Sequence, residues 1–493
     1  MQKKFLTNLA LLLFLNLLVK PFWVLGIDRS VQNVVGAQDF GFYFSILNFS
    51  FLFYIILDLG ITNFNNRNIA QHNQLLNKHL SGILILKVLL MVVYFFVLFS
   101  TGLIIGYSGK QLEILAWVGL NQFLLSLILY LRSNISGLLM FRTDSMLSVL
   151  DRLLMILFCS VLLWGNITDG EFRIEWFVYA QTAAYALTAL IALMIVIRKS
   201  ALRRLNWNRA FFLMILKKSF PFALLALLMS FYFRIDPVMI ERLLPGTMGE
   251  QQSGVYAQAY RLLDAANMIA FLFAVLLLPI FSKMIAQGES IEELAKLSFS
   301  LLATVSVIVA VGSYLFSSEI MHLLYPRHGS ETAAEFALRI RQSSTVFSIL
   351  MFGFVMMSTS YIFSTLLTAN GSLRALNIIA AIAVAISLTL NVLLIPRFLA
   401  TGSALASITS LSVSSVAHVL VSAYVFRFRR NFRFLLALAV YVTAVILFGY
   451  FSRMLNVGWI YSLSLMVIFS FIAAFFLRLL NIRNFIQILR SSE

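Results

Sequence analysis

Eight ionisable residues stand inside stretches of sequence that are otherwise apolar: Lys20, Lys87, Arg132, Arg234 and Arg261, together with Asp58, Asp236 and Asp264. A charge at bilayer depth is costly, so such residues are held by a partner or face a cavity. At about 1.5 Å per helical residue, Lys20 and Arg234 lie roughly 22–24 Å along their helices. Arg261 and Asp264 lie roughly 12–17 Å from the outer end of theirs, one turn apart on one face. Lys87 is intermediate in depth, and Arg132 stands near enough to a helix end to reach the headgroups, which predicts snorkelling. Cations in a low-dielectric cleft suit an anionic group such as a pyrophosphate, to which arginine offers paired hydrogen bonds. On this reading Lys20, Arg234, Arg261 and Lys87 bind substrate. The competing reading is structural ion pairing between helices, with Asp236 or Asp264 as partners. Asp58, Asp236 and Asp264 either carry a coupling ion, H+ or Na+, or neutralise the arginines. His418 is either a proton carrier or a packed histidine.

The elements that must hold these charges are membrane helices. Apolar residues make up 61% of the 493 and charged residues 12%, against roughly a quarter charged in soluble chains. Hydropathy predicts an all-α polytopic membrane protein of about 14 spans, each of roughly 20 residues or more. Their limits are 5–26, 42–64, 80–106, 112–139, 145–166, 176–198, 218–240, 253–285, 297–317, 344–369, 373–395, 401–427, 433–452 and 457–479. The first follows Lys3 and Lys4 and runs into Lys20-Pro21-Phe22-Trp23 where a cleavage site would need small residues, so it reads as a retained helix. With both termini cytoplasmic, Lys and Arg, Arg152 included, concentrate in the inside segments, and acids such as Asp28 and Asp39 fall outside. Most of the net charge of +17 is then an orientation signal, and no basic stripe interleaved with aromatics calls for nucleic acid.

The basic segment 199–217 reads as a cytoplasmic linker with a short interfacial helix at Phe211–Leu216. It divides an N-terminal six-helix lobe (1–198) from a C-terminal one (218–427), followed by two additional helices and a tail (428–493). Gly41-Phe42-Tyr43 opens the second helix and Gly254-Val255-Tyr256 opens the eighth. About 20 residues before each stands a cation near a proline, Lys20-Pro21 and Arg234-Ile235-Asp236-Pro237, a pattern that points to duplication.

Catalytic signatures are missing. Gly109-Lys110 lacks the companions of a phosphate-binding loop, since Ile104 and Gln111 occupy their places, and there is neither a His-Glu-x-x-His nor a Gly-x-Ser-x-Gly pattern. The one cysteine, Cys159, excludes an intrachain disulfide and a cysteine-based metal site. The chain is expected to be no enzyme, with no catalytic residues, no metal and no cofactor. The longest outside connection, Ser318 to Ser343, reads as a gate or a surface helix.

Val35-Gly36-Ala37-Gln38-Asp39-Phe40-Gly41-Phe42-Tyr43, Asp58-Leu59-Gly60-Ile61 and Arg67-Asn68-Ile69-Ala70 resemble the opening of the polysaccharide and O-antigen flippases of the multidrug/oligosaccharidyl-lipid/polysaccharide exporter superfamily. Arg234-Ile235-Asp236, Gly254 to Leu262 with Pro279, Asn370-Gly371, Asn391 to Pro396 and Gly402 to Ala406 continue the resemblance, which departs from the pattern in the Ser/Ala-rich stretch after Gly402. The resemblance implies two pseudo-symmetric six-helix lobes, two further C-terminal helices and a central cavity. It also implies transfer of an undecaprenyl-pyrophosphate-linked oligosaccharide from the cytoplasmic to the periplasmic leaflet of a bacterial inner membrane. Lys20, Arg234 and Arg261 would hold the pyrophosphate, with membrane lipids and other polysaccharide-assembly proteins as partners. A drug/cation antiporter of the same superfamily and a membrane polysaccharide polymerase or glycosyltransferase are the alternatives.

Overall fold

Large apolar side chains lie on the outside of the helices as well as inside: Val92, Phe96, Leu103, Leu436, Leu447, Phe475 and Phe476 are all exposed. Such surfaces are stable against lipid and not against water. The computed structural model describes residues 15, 18–19, 21–62, 65–66, 69, 74–165, 172–200, 209–428, 431–455 and 457–480. Among them are thirteen α-helices and no strand, and eleven of the helices are long and apolar enough to cross a membrane. The chain forms two compact units, Met1–Gly254 and Val255–Glu493.

The first unit holds α1 (Arg29–Leu52), α2 (Leu75–Ile104), α3 (Lys110–Gly137), α4 (Phe141–Trp164), α5 (Ile174–Lys199), α6 (Arg209–Leu243) and the start of α7 (Thr247–Gln287). α5 packs on α3 and α4, and α1 packs on α6. Ile83, Leu86, Tyr130, Leu131, Ala192 and Val196 belong to its buried core. The second unit continues α7 and adds α8 (Glu292–Leu315), α9 (Ser317–Leu324), α10 (Ala333–Ala369), α11 (Leu373–Phe426), α12 (Phe432–Met454) and α13 (Trp459–Phe476). Here α10 packs against both α8 and α11, while α12 and α13 pair and close on α8 around Val311, Tyr441, Val445 and Met466. A capping box starts α10: Thr332 Oγ1 accepts from the Glu335 backbone N–H, and Glu335 Oε2 accepts from the Thr332 N–H at 2.8 Å.

Several elements differ from the hydropathy reading. Residues 29–41, expected as an outside loop, are helical; within them Gln32 donates to Asp28 and Gln38 to Glu250. A π-helical turn, Trp23–Asp28, precedes them, and Gly36 (φ 82°) breaks the helix at a conformation that favours glycine. Residues 211–216 are no separate interfacial helix, since α6 runs unbroken from Arg209 to Leu243. α11 takes in two anticipated spans and breaks at Leu399 (φ 55°), three residues after Pro396, where the proline supplies no N–H to the ladder.

The Ser/Ala-rich stretch after Gly402 has a clear packing role. Gly402, Ser403, Ala404, Ala406, Ser407, Ser410, Ser414 and Ser415 are all buried, in the helix that packs on α10. Small side chains let helix backbones approach closely in a membrane, where packing replaces the hydrophobic effect.

Candidate functional site

Lys87 and Asp58 form the first intramembrane constellation, in the first unit. After Leu52 the helix unwinds: Tyr54–Leu57 is a 3₁₀ turn, and Leu59 (φ 46°) and Gly60 (φ 80°) are left-handed. Unwound backbone exposes carbonyls that lipid cannot satisfy. The buried Lys87 ammonium donates to Leu57 O at 2.9 Å, to Asp58 Oδ1 at 2.7 Å and to Ser126 Oγ at 2.9 Å. Ser126 Oγ in turn donates to Leu57 O at 3.0 Å, and Thr62 donates to Asp58 through both its N–H and its hydroxyl. An ammonium has three N–H donors, and all three of Lys87 are engaged by protein atoms. This geometry makes Lys87 a pin for the unwound turn, with Asp58 as its counter-ion.

Arg234 lies nine residues from the end of α6, roughly 13 Å along its axis. It is half-buried, and its guanidinium stands over the Phe51 ring at 5.0 Å. Asp236, two residues on, is buried. The end of α6 carries a polar network that hydropathy did not reveal. Arg242 binds both Glu241 oxygens at 2.6 Å, donates to Ile105 O at 3.1 Å and stacks over Tyr107 at 4.3 Å, while Gln111 donates to Glu241 at 3.0 Å. These bonds satisfy the backbone beyond the end of α2.

Gly41 and Gly254, the repeat markers, meet each other. A Cβ on Gly41 would run into the Glu250 carbonyl oxygen and the Gly254 nitrogen, and one on Gly254 into the Ala37 carbonyl. Gln38 Nε2 donates to Glu250 Oε2 at 3.0 Å beside this crossing. The contact is reciprocal, as between copies related by a two-fold axis.

A further buried polar cluster escaped the sequence reading, which placed Asp28 in an outside loop and Arg152 in an inside one. Asp28 is 1% exposed and accepts from Gln32 Nε2 at 3.0 Å. Arg152, in the middle of α4, stands over the Trp23 ring at 5.7 Å and 3.7 Å from Asp151, within electrostatic range of Asp28, Tyr43 and Tyr185. Gln181 Nε2 donates to the Tyr43 hydroxyl at 2.9 Å beside them. The available signal was depth: Arg152 stands well inside α4, beyond easy reach of a headgroup. Arg132 also differs from expectation. It does not snorkel but donates to Asp144 at 2.8 Å, because the tight turn at Leu139 (φ 60°) folds α4 back beside it.

In the second unit, Arg261 and Asp264 are both half-buried, one turn apart on α7. Tyr256, further back on α7, reaches Ser407 of α11 through its hydroxyl at 3.2 Å. His418 is buried, its Nδ1 3.5 Å from Ser414 Oγ, on the small-residue face of α11. Lys20 lies outside the described residues. No three His, Cys, Asp or Glu side chains are placed to hold a metal ion among the described residues.

Helices of this number, with charges set inside their spans, define a polytopic membrane protein fold. The lipid II flippase MurJ in an inward closed conformation superposes with a TM-score of 0.69 at 14% identity, covering 93% of this chain and 98% of that one. An inward-facing multidrug resistance MATE family transporter of the MOP superfamily gives 0.60 at 14% identity, over 85% and 94%. A MATE transporter from Vibrio cholerae gives 0.59 at 14% identity, over 86% and 97%. The chain belongs to the polysaccharide biosynthesis protein family, whose sequence model matches residues 7–285. No curated protein sequence matches it significantly.

Proposed function

We propose that this protein is a flippase, not an enzyme, and moves an undecaprenyl-pyrophosphate-linked oligosaccharide from the cytoplasmic to the periplasmic leaflet of a bacterial inner membrane for O-antigen or related surface polysaccharide. The observation that carries this reading is that Arg234 and Arg261 are only half-buried within otherwise apolar spans. A guanidinium left partly open at bilayer depth is stable against water or an anion, not against acyl chains. Arginine pairs bidentately with phosphate oxygens, so these two residues, with Lys20, are assigned to the pyrophosphate. The polyprenyl chain stays in lipid while the sugars cross in water. Lys87, its donors all engaged at the unwound turn that follows α1, takes a structural part in this reading.

Transport by alternating access needs an energy source. We assign coupling to a proton exchanged at an intramembrane carboxylate, with the buried Asp28 joining Asp236, also buried, and the half-buried Asp264 as candidates. Protonating Asp28 would remove one of the two carboxylate charges near Arg152, leaving Asp151 at 3.7 Å, and so shift the balance of α4 against the Trp23 turn. The loop charges favour both termini in the cytoplasm, and the translocated lipid would pass to assembly proteins on the far side.

The test is leaflet accessibility of a labelled lipid-linked oligosaccharide in proteoliposomes. Native protein is expected to expose the label to an external glycosidase, and Arg234→Ala and Arg261→Ala to slow exposure by tenfold or more. Native flipping rates in both variants would remove the assigned site. Transport of organic cations alone would favour the antiporter, and chemical change in the saccharide without leaflet transfer would favour an enzyme.

A further inference from the structure

A second site lies in the second unit, lined by none of the residues assigned to transport. Where α8 ends, α9 runs and α10 and α12 meet them, the helices form an open cavity of about 670 Å³, within the range of roughly 300–1,000 Å³ common for small-ligand sites. Arg341, Arg453, His322, Ser344 and Tyr450 are on its wall. The cavity sits at one end of three apolar spans, Glu292–Leu315, Ala333–Ala369 and Phe432–Met454, which places it at a membrane–water boundary. Tyr314 and Tyr450 on its rim are typical of that level.

Its chemistry is cationic and hydroxyl-rich. Arg341 is exposed, and its guanidinium makes no ion pair among the described residues. Arg453 donates to Leu315 O at 2.7 Å and to Glu319 Oε1 at 3.1 Å, and with five N–H donors it retains others. Glu319 offsets one of the two charges, so the wall keeps a net positive charge. The Ser344 hydroxyl is a second and independent sign: the residue is 6% exposed, and its Oγ has no hydrogen-bond partner. A serine in a helix ordinarily bonds back to a carbonyl one turn earlier, as Ser343 does to Arg339 O at 2.8 Å. Leu447, one turn before the wall residue Tyr450 on α12, and Phe451, one turn further on from Leu447, are exposed and apolar, a surface an acyl chain could follow.

We infer that this cavity binds the phosphate of an anionic phospholipid, with the phosphodiester on Arg341 and Arg453 and a tail along Leu447. The full-length protein in phosphatidylcholine micelles would be titrated with phosphatidylglycerol, and bound lipid counted by native mass spectrometry. Arg341→Gln is expected to retain phosphatidylglycerol about tenfold less tightly, a difference of about 1.4 kcal/mol, with phosphatidylcholine binding unchanged. Ser344→Ala is expected to weaken it about threefold, and decides the matter if the arginine variant fails to fold. Inorganic phosphate is the second arm. Failure of millimolar phosphate to compete supports the lipid as source, whereas competition lost in Arg341→Gln supports the same phosphate recognition and makes the free anion the source. Equal phosphatidylglycerol binding by native protein and both variants, or displacement by a neutral disaccharide, would overturn the assignment.

Discussion

Replacing Lys87 with methionine removes the ammonium and leaves a side chain of similar length and packing. Three acceptors then lose a donor: Leu57 O, Asp58 Oδ1 and Ser126 Oγ. Leu57 O still accepts from Ser126, and Asp58 still accepts from Thr62. Breaking a buried ion pair from one side costs about 3–5 kcal/mol because the partner charge stays buried. Asp58 retains 19% side-chain exposure, which places the expected loss near the lower end, about 3 kcal/mol. For a unit of some 250 residues that corresponds to roughly 6–12 °C in midpoint temperature, read from thermal unfolding in detergent at one scan rate, since irreversible unfolding makes the midpoint scan-dependent. The double variant with Asp58→Asn removes the orphaned charge and should recover about half of the loss; since Asp58→Asn alone strands the buried Lys87 ammonium and costs about 3 kcal/mol by the same reasoning, the coupling is on the order of 4.5 kcal/mol. Binding of a pyrophosphate-bearing lipid per folded molecule should stay at the native level, because no Lys87 donor is left to offer. The reasoning fails if Lys87→Met melts within about a degree of native protein, or if the two substitutions add without coupling.

Three further outcomes follow from the same geometry. Gly41→Ala and Gly254→Ala each force a Cβ into backbone, so each should destabilise by about 1–3 kcal/mol, and because they act at one crossing the double variant should fall short of the sum, as thermal unfolding would show. Asp28→Asn keeps the shape but cannot exchange a proton, so flipping driven by an imposed pH gradient should be lost while lipid binding persists, and unchanged pH-driven flipping would remove Asp28 from coupling. Outside the spans, partial burial raises the Glu331 carboxyl, but Arg339 and the His328 N–H outweigh it and hold it below the usual carboxylate range. A depressed folded value stabilises above the unfolded value of about 4.3 and is lost as pH falls through the folded one, so a fluorophore on Ser330→Cys should report opening of that loop below about pH 4, and Glu331→Gln should abolish the transition.

The fold class was legible because solvent sets composition: apolar faces all round can mean only lipid. The helix boundaries were less so, since hydropathy reports which solvent a segment tolerates and not whether it is helical. Arg29, Gln32 and Asp39 made α1 look like a loop, although the segment is a helix in which Gln32 is buried and donates to Asp28 while Asp39 stays exposed. The same blindness hid the cluster of Asp28 and Arg152, which charge counting assigned to opposite faces of the membrane. Lys87 was correctly singled out as a charge in the wrong solvent. Its role was not legible, because the acceptor that fixes it, Leu57 O, is a backbone carbonyl freed only when the helix unwinds. Ser344 was invisible for a related reason: an ordinary serine becomes informative only when its hydroxyl lacks the usual helical partner.

The repeat deserves a stricter reading than its motif first allowed. The 213 residues that separate Gly41 from Gly254 also separate Ala37 from Glu250, and these four residues are the ones in reciprocal contact. Any antiparallel crossing pairs residues symmetrically about its centre, so the contact is the one a duplication predicts, while the offset itself carries Arg234 to Pro21, one residue from Lys20. The same offset carries Arg261 back to Asn48, which is buried and donates to Phe44 O at 2.7 Å within its own helix. Arg261 therefore has no charged counterpart in the first copy. If the halves are duplicates, the cation at Arg261 belongs to one copy only, which a charge-specific task for that helix face would explain. Arg261→Asn restores the residue of the twin. If Arg261 serves substrate alone, this variant should keep native thermal stability and lose flipping, whereas a fall in stability of the size expected for Lys87→Met would make Arg261 a structural pin instead.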